Sequence, residues 1–154
     1  MKSRFKIKYN LKIEVRNDKG KLVKEKIISN LITTAGKAGM AARLNGYGTP
    51  AAYNYLAVGT GTTGAVVGNT TLESEITDTG LARAQATASV LTTDTTNDTA
   101  RLSYTWTASG AKAVTEAGVF NASSSGTLLA RQVFSAINMA ANYTLTLVWS
   151  FDVD

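Results

Sequence analysis

The chain is expected to be all-β: a β-sandwich of jelly-roll-like form with an N-terminal β-hairpin and one short α-helix. Three observations predict this. Phe5, Ile7, Tyr9, Leu11, Ile13 and Val15 occupy odd positions while Lys6, Lys8, Asn10, Lys12, Glu14 and Arg16 occupy even ones, the period-two pattern of a strand with one wet face. Tyr143, Leu145, Leu147, Trp149, Phe151 and Val153 repeat that alternation at the other end of the chain. Between them, turn residues recur at roughly the 8–12-residue spacing of sandwiches and jelly rolls, which gives about eight strands.

Taken in order, Asn17-Asp18-Lys19-Gly20 supplies residues tolerant of positive φ, so residues 22–28 return as the second strand of a hairpin. Asn30 is placed to cap a helix over residues 31–44, where Ile32, Gly36, Met40 and Leu44 recur every four residues and Asn45-Gly46 ends the run. Ala35, Gly36, Ala38, Gly39, Ala41 and Ala42 predict that this helix lies close against a sheet, at a cost in helix propensity for the two glycines. Residues 53–58 are apolar on both faces and read as a central, buried strand. Ala84, Ala86, Ala88 and Val90 alternate with polar residues, the run 92–99 is an Asp/Asn/Thr turn, and Leu102, Tyr104, Trp106 and Ala108 alternate out of it as a long hairpin. Residues 114–120 and 128–134 flank the Ser/Gly turn 121–126.

Composition narrows the chemistry. The 154 residues include no His and no Cys. Their absence removes the side chain that titrates nearest neutrality, the strongest side-chain nucleophile and most zinc-ligand sets. No stretch reads as a signal peptide or a membrane span, so the chain is expected to be soluble. Residues 1–28 carry ten basic side chains and three acidic ones, a net of +7, while residues 29–154 carry six and eight, a net of −2. The expected organisation is therefore one domain, with a basic hairpin arm at 1–28 and a sandwich body at 29–154.

Four polar groupings invite a chemical reading. Gly59-Thr60-Gly61-Thr62-Thr63-Gly64 matches G-x-G-x-x-G after a strand, but Ala65-Val66-Val67-Gly68-Asn69 is a poor helix start and no βαβ pattern surrounds it. A turn-forming loop is expected there, not a nucleotide cradle. Asp94, Asn97 and Asp98 lack the spacing of a calcium loop and read as a solvated hairpin tip. Glu73 and Glu75 stand by a possible Thr70-x-x-Glu73 capping box and are expected to form a local cap or ion pair. Glu116, inside the apolar run 114–120, must find Arg, Lys or backbone N–H partners if it is buried. No catalytic, cofactor or metal residue is assigned.

The basic hairpin admits three readings: a charged, solvated edge that resists aggregation, a dock for an acidic protein surface, or a nucleic-acid contact. Tyr9 and Phe5 fall on the core-side register, away from the lysines, which favours a protein partner over nucleic acid. The candidate partner-binding residues are Lys2, Arg4, Lys6, Lys8 and Lys12.

The segments Asn30-Leu31-Ile32-Thr33-Thr34-Ala35-Gly36, Tyr55-Leu56-Ala57-Val58-Gly59-Thr60-Gly61-Thr62, Thr71-Leu72-Glu73-Ser74-Glu75-Ile76, Thr115-Glu116-Ala117-Gly118-Val119-Phe120-Asn121-Ala122 and Leu128-Leu129-Ala130-Arg131 follow one another in an order that resembles small virion structural proteins of tailed bacteriophages. The order of helix, AVGTG and EAGVF is similar to the N-terminal attachment domain of phage tail-collar fibres. The resemblance covers about residues 28–154. It implies a non-enzymatic protein located in the virion, without cofactor or membrane contact. Its implied partners are the major capsid protein or other virion proteins, and it implies a homo-oligomer, a trimer being favoured. The basic hairpin, and the absence of a repetitive shaft after the domain, favour a capsid decoration protein. The alternatives are a tail, baseplate or fibre-attachment component, or a carbohydrate-binding β-sandwich adhesin. The adhesin would need an exposed aromatic platform, whereas Tyr104, Trp106, Tyr143 and Trp149 fall in core registers.

Overall fold

A computed structural model describes residues 6–29 and 31–153. It is a sandwich of two five-stranded antiparallel sheets with one helix. The strands are β1 (Ile7–Arg16), β2 (Leu22–Ser29), β3 (Leu31–Ile32), β4 (Tyr55–Gly59), β5 (Ala84–Gln85), β6 (Thr87–Leu91), β7 (Thr99–Thr107), β8 (Lys112–Phe120), β9 (Leu128–Met139) and β10 (Thr144–Val153), with α1 (Thr34–Asn45) after β3. The first sheet runs β2-β1-β10-β7-β6 and the second β3-β9-β8-β4-β5. Three hairpins, β1–β2, β6–β7 and β8–β9, each stay within one sheet.

The alternation read from the sequence sets which face of the first sheet is buried. Leu11, Ile13 and Val15 of β1 meet Trp149, Leu147 and Leu145 of β10 in register, and all six point into the core. Leu102 and Trp106 of β7 join them from the other side of β10. Leu56, Val58, Val114, Ala117, Val119, Leu129 and Ile137 close the core from the second sheet. The hairpin is not a projecting arm: β1 pairs with β10 from Ile7–Val153 to Arg16–Thr144 and is an interior strand of the sheet.

Residues 114–120 of β8 are buried on both faces. One face packs on the first sheet. The other is roofed by the long connection between β4 and β5, whose Leu72 forms a small second core with Ala57, Phe120 and Leu128. This roof explains why β4, an interior strand beside the central β8, is apolar on both sides.

Two local expectations are corrected. The helix begins at Thr34, three residues later than the apolar spacing implied, and its cap is Thr33 rather than Asn30, which lies outside the described residues. Leu31 and Ile32 first pair with Arg131 and Ala130 of β9, and this tertiary ladder holds the chain extended until Thr33. Thr33 Oγ1 then accepts from Gly36 N at 2.9 Å and donates to Leu128 O at 2.6 Å, joining cap to sheet. A Cβ on Gly36 would lie 2.8 Å from Leu129 Cα, so glycine permits the close helix–sheet contact that the small residues predicted. Gly46 ends the helix at φ 73°, as Asn45-Gly46 predicted. The second correction concerns residues 84–90. They are not one strand: the chain changes sheet at Ala86, leaving β5 on the second sheet and β6 at the edge of the first.

Because Leu147 is fully buried at the centre of the first sheet, Leu147→Ala is expected to cost about 2–5 kcal/mol in chemical denaturation. Leu44→Ala, at a side chain 91% exposed on α1, should stay within about 0.5 kcal/mol of the parent.

Candidate functional site

The polar centre of the molecule is Glu116, 0% exposed on β8. Its position follows from the β8 register: Glu116 stands opposite Gly59 of β4 and Val133 of β9, on the face of the second sheet that the β4–β5 connection covers. Oε1 accepts from the backbone N–H of Ser74 at 2.7 Å and of Gly61 at 3.1 Å. Oε2 accepts from Glu73 N at 3.1 Å and from Arg131 Nε at 2.9 Å, with Arg131 Nη2 at 2.8 Å. Arg131, 1% exposed, comes from β9 and also donates to Asn69 Oδ1 at 3.0 Å. A charge withdrawn from water is costly unless it is paired and hydrogen-bonded, and this carboxylate has both kinds of partner.

The glycine-rich run takes its shape from this carboxylate. No helix follows Gly64. Gly61 aims its N–H at Glu116, and a Cβ there would lie within 2.5 Å of both Glu116 Oε1 and Glu73 Cβ. The loop is an anion cradle in chemical type, but its anion is a side chain of the same protein. Thr115 Oγ1 donates to Gly61 O at 2.7 Å, holding the loop from below, and Thr60 N donates to Ser74 O at 2.8 Å, holding it to the roof.

The neighbouring acids are used in the same way. No helix follows Thr70, so Glu73 makes no capping box. Its carboxylate accepts from Thr63 N and Thr63 Oγ1, each at 2.8 Å, and lies 3.7 Å from Arg131 Nη2. The Thr63 backbone N–H, then its hydroxyl, holds the Glu73 carboxyl below the usual range. Glu75 makes a two-pronged pair with Arg83 at 2.9 and 2.6 Å, while Arg83 Nη1 donates to Ala122 O and Ser125 O and the guanidinium stacks 3.6 Å over the Phe120 ring. A lone Arg in a polar run gives no sequence signal of its distant partners, so the role of Arg83 is legible only in the tertiary structure. A shallow cleft of about 320 Å³ adjoins this region, lined by Thr63, Asn69, Thr71, Glu73 and Arg131 among others. Among the described residues no group of three Asp or Glu side chains is placed to hold a metal ion.

The hairpin tip at 92–99 is organised by Asp98. Its carboxylate accepts from the backbone N–H groups of Thr95, Thr93 and Asp94, which hold it at about 2, the Thr95 N–H contributing most. Asp94 then sits 3.7 Å from Lys8 on the wet face of β1.

Of the five candidate contact residues, Lys2 and Arg4 lie outside the described residues. Lys6 and Lys8 are exposed near the start of β1. Lys12 is different: it pairs with Glu14 at 2.7 Å and Glu25 at 3.6 Å, chiefly the Glu14 hydrogen bond raising its pKa. Its charge is therefore largely answered within the sheet. On the opposite, inward register of β1, Ile7 and Tyr9 join Ile32, Met40, Ala41 and Leu44 along an apolar groove of about 520 Å³.

Two outcomes test this geometry. Arg131→Met leaves Glu116 buried without its cation and is expected to cost about 3–5 kcal/mol in equilibrium unfolding. Since the folded pKa of Asp98 is depressed, its contribution is complete above its unfolded value near 3.8 and is lost as pH falls toward about 2. The Thr93, Asp94 and Thr95 amide resonances should accordingly titrate with a midpoint near 2, not near 3.8. Comparison of the chain with protein-family models, curated proteins and solved structures gives no match.

Proposed function

We propose that this chain is a non-enzymatic structural protein of a tailed-phage virion, a capsid decoration protein that binds the head shell. The observation that carries the reading is the convergence of the segments on which the phage resemblance rests. AVGTGT supplies Gly59 and Gly61, TLESE supplies Glu73 and Ser74, TEAGVF supplies Glu116, and LLAR supplies Arg131 and the carbonyl groups that receive Thr33 of NLITTAG. Their donors and acceptors are spent on one another. The motifs that carry the resemblance thus account for an internal frame, and on this reading recognition falls to the outer surfaces, as suits a particle component.

The surface proposed to dock is the start of β1, where exposed Lys6 and Lys8 stand on one register and the apolar groove opens on the other. That pairing of cations with apolar area fits an acidic shell protein: the charges steer and align, and apolar burial supplies affinity. A tail or fibre-attachment role is the second reading, favoured by the helix, AVGTG, EAGVF order. The adhesin reading is disfavoured because Trp106 and Trp149 are buried, Tyr104 and Tyr143 pack against the core, and among the described aromatic residues Tyr47 alone is exposed.

Replacing Lys2, Arg4, Lys6 and Lys8 by Ser should leave the melting temperature unchanged and reduce incorporation into particles, with the wild type itself released progressively by salt over the range where the screening length falls below about 8 Å. Undiminished incorporation of the variant at low and high salt would return these lysines to a solvated edge.

A further inference from the structure

We infer that a second copy of this chain adds to the first sheet across β6, the two β6 strands pairing antiparallel about a two-fold axis at Ser89. This inference is independent of the virion reading. Sheets in folded proteins protect their edges by shortness, charge, proline or cover. Three of the four edges here follow that rule. β3 and β5 are two residues long, and β2 carries Lys24, Glu25 and Lys26. The fourth does not: β6 reads Thr-Ala-Ser-Val-Leu, five residues without charge or proline, every one exposed. Val90 is 58% and Leu91 41% exposed.

The hydrogen-bond phase of the sheet sets the register in which a second copy adds. Val153 N donates to Asp98 O, so by the alternation of an antiparallel ladder Ala100, Leu102 and Tyr104 of β7 bond to β10, and Thr99, Arg101 and Ser103 bond to β6. Their partners across the register are Leu91, Ser89 and Thr87. The N–H and C=O groups of Ala88 and Val90 therefore point out of the sheet, and they have no partner among the described residues. A second β6 running antiparallel with Ala88 opposite Val90 satisfies all four groups on each copy. Moving the axis to Ala88 would instead call on Ala86, whose N–H is already given to Asn54 O. Self-pairing brings no like charges together, because β6 has none, and it sets the Val90 and Ala88 side chains of the two copies side by side on the face that Leu102 shares, where β6 itself is exposed. The contact is two-fold, so it builds a dimer and not the trimer that the phage resemblance implies.

Ser89 lies on the axis as a non-hydrogen-bonded pair, the closer of the two cross-strand spacings, at about 4.5 Å between Cα atoms. That spacing suits a disulfide. As the chain has no cysteine of its own, Ser89→Cys is a clean reporter. Under mild oxidation it should form a reducible dimer, whereas Ser124→Cys, exposed in the β8–β9 turn, should cross-link far more slowly. Light scattering of the unmodified protein over a concentration series should approach twice 16.2 kDa, and Val90→Lys should hold it at 16.2 kDa while it still unfolds cooperatively, now at a temperature independent of concentration. Cross-linking of Ser89→Cys no faster than the Ser124→Cys control would overturn the inference, as would a mass that Val90→Lys does not lower.

Discussion

One buried carboxylate organises the second sheet and everything laid over it. Glu116 accepts from three backbone N–H groups in the β4–β5 connection and from Arg131, so a single side chain fixes the glycine loop, the Glu73-Ser74 turn and the β9 guanidinium together. The constraint is strict because none of these groups can return to water without opening the roof. An uncompensated charge in a low-dielectric site is more costly than any one hydrogen bond is stabilising, so the connection must close in one arrangement. Small residues follow from the same constraint: a side chain at Gly59 or Gly61 would occupy space held by Glu116.

The two halves of the sandwich are held by different physics. The first sheet is an apolar ladder in which β1, β10 and β7 share one alternating face, and its stability comes from area removed from water. The second is apolar on its inner face, while its outer face combines the small Leu72 core with buried ion pairs and backbone donors that replace water. The Arg83 pairing with Glu75, stacked on Phe120, repeats the Glu116–Arg131 arrangement farther along the same roof. The roof is therefore specified by polar complementarity, which fixes geometry more sharply than apolar contact does.

This division bears on function. The glycine loop, Glu73, Glu75, Glu116 and the two arginines spend their polar groups largely on one another. The start of β1 with exposed Lys6 and Lys8, the apolar groove beside it and the β6 edge lie on the outer surface. Such a layout gives the proposed shell contact and the inferred self-contact separate places on the molecule.

Local patterning by itself determined the sandwich class, the hairpin, the core faces of β1, β7 and β10, the helix end at Gly46 and the condition that a buried Glu116 must be matched by Arg or backbone N–H groups. Those features depend on residues near in sequence, whose period and turn chemistry report directly on the backbone. Tertiary structure alone decided that Arg131 is the cation for Glu116, that Thr33 displaces Asn30 as the cap, that the run 84–90 divides between sheets, and that Lys12 is ion-paired while Lys6 stays exposed. The first three turn on partners distant in sequence, and Lys12 is held by Glu14 on its own strand together with Glu25 across the β1–β2 register. Strand register, which no single segment encodes, chooses which of several chemically adequate partners is within reach.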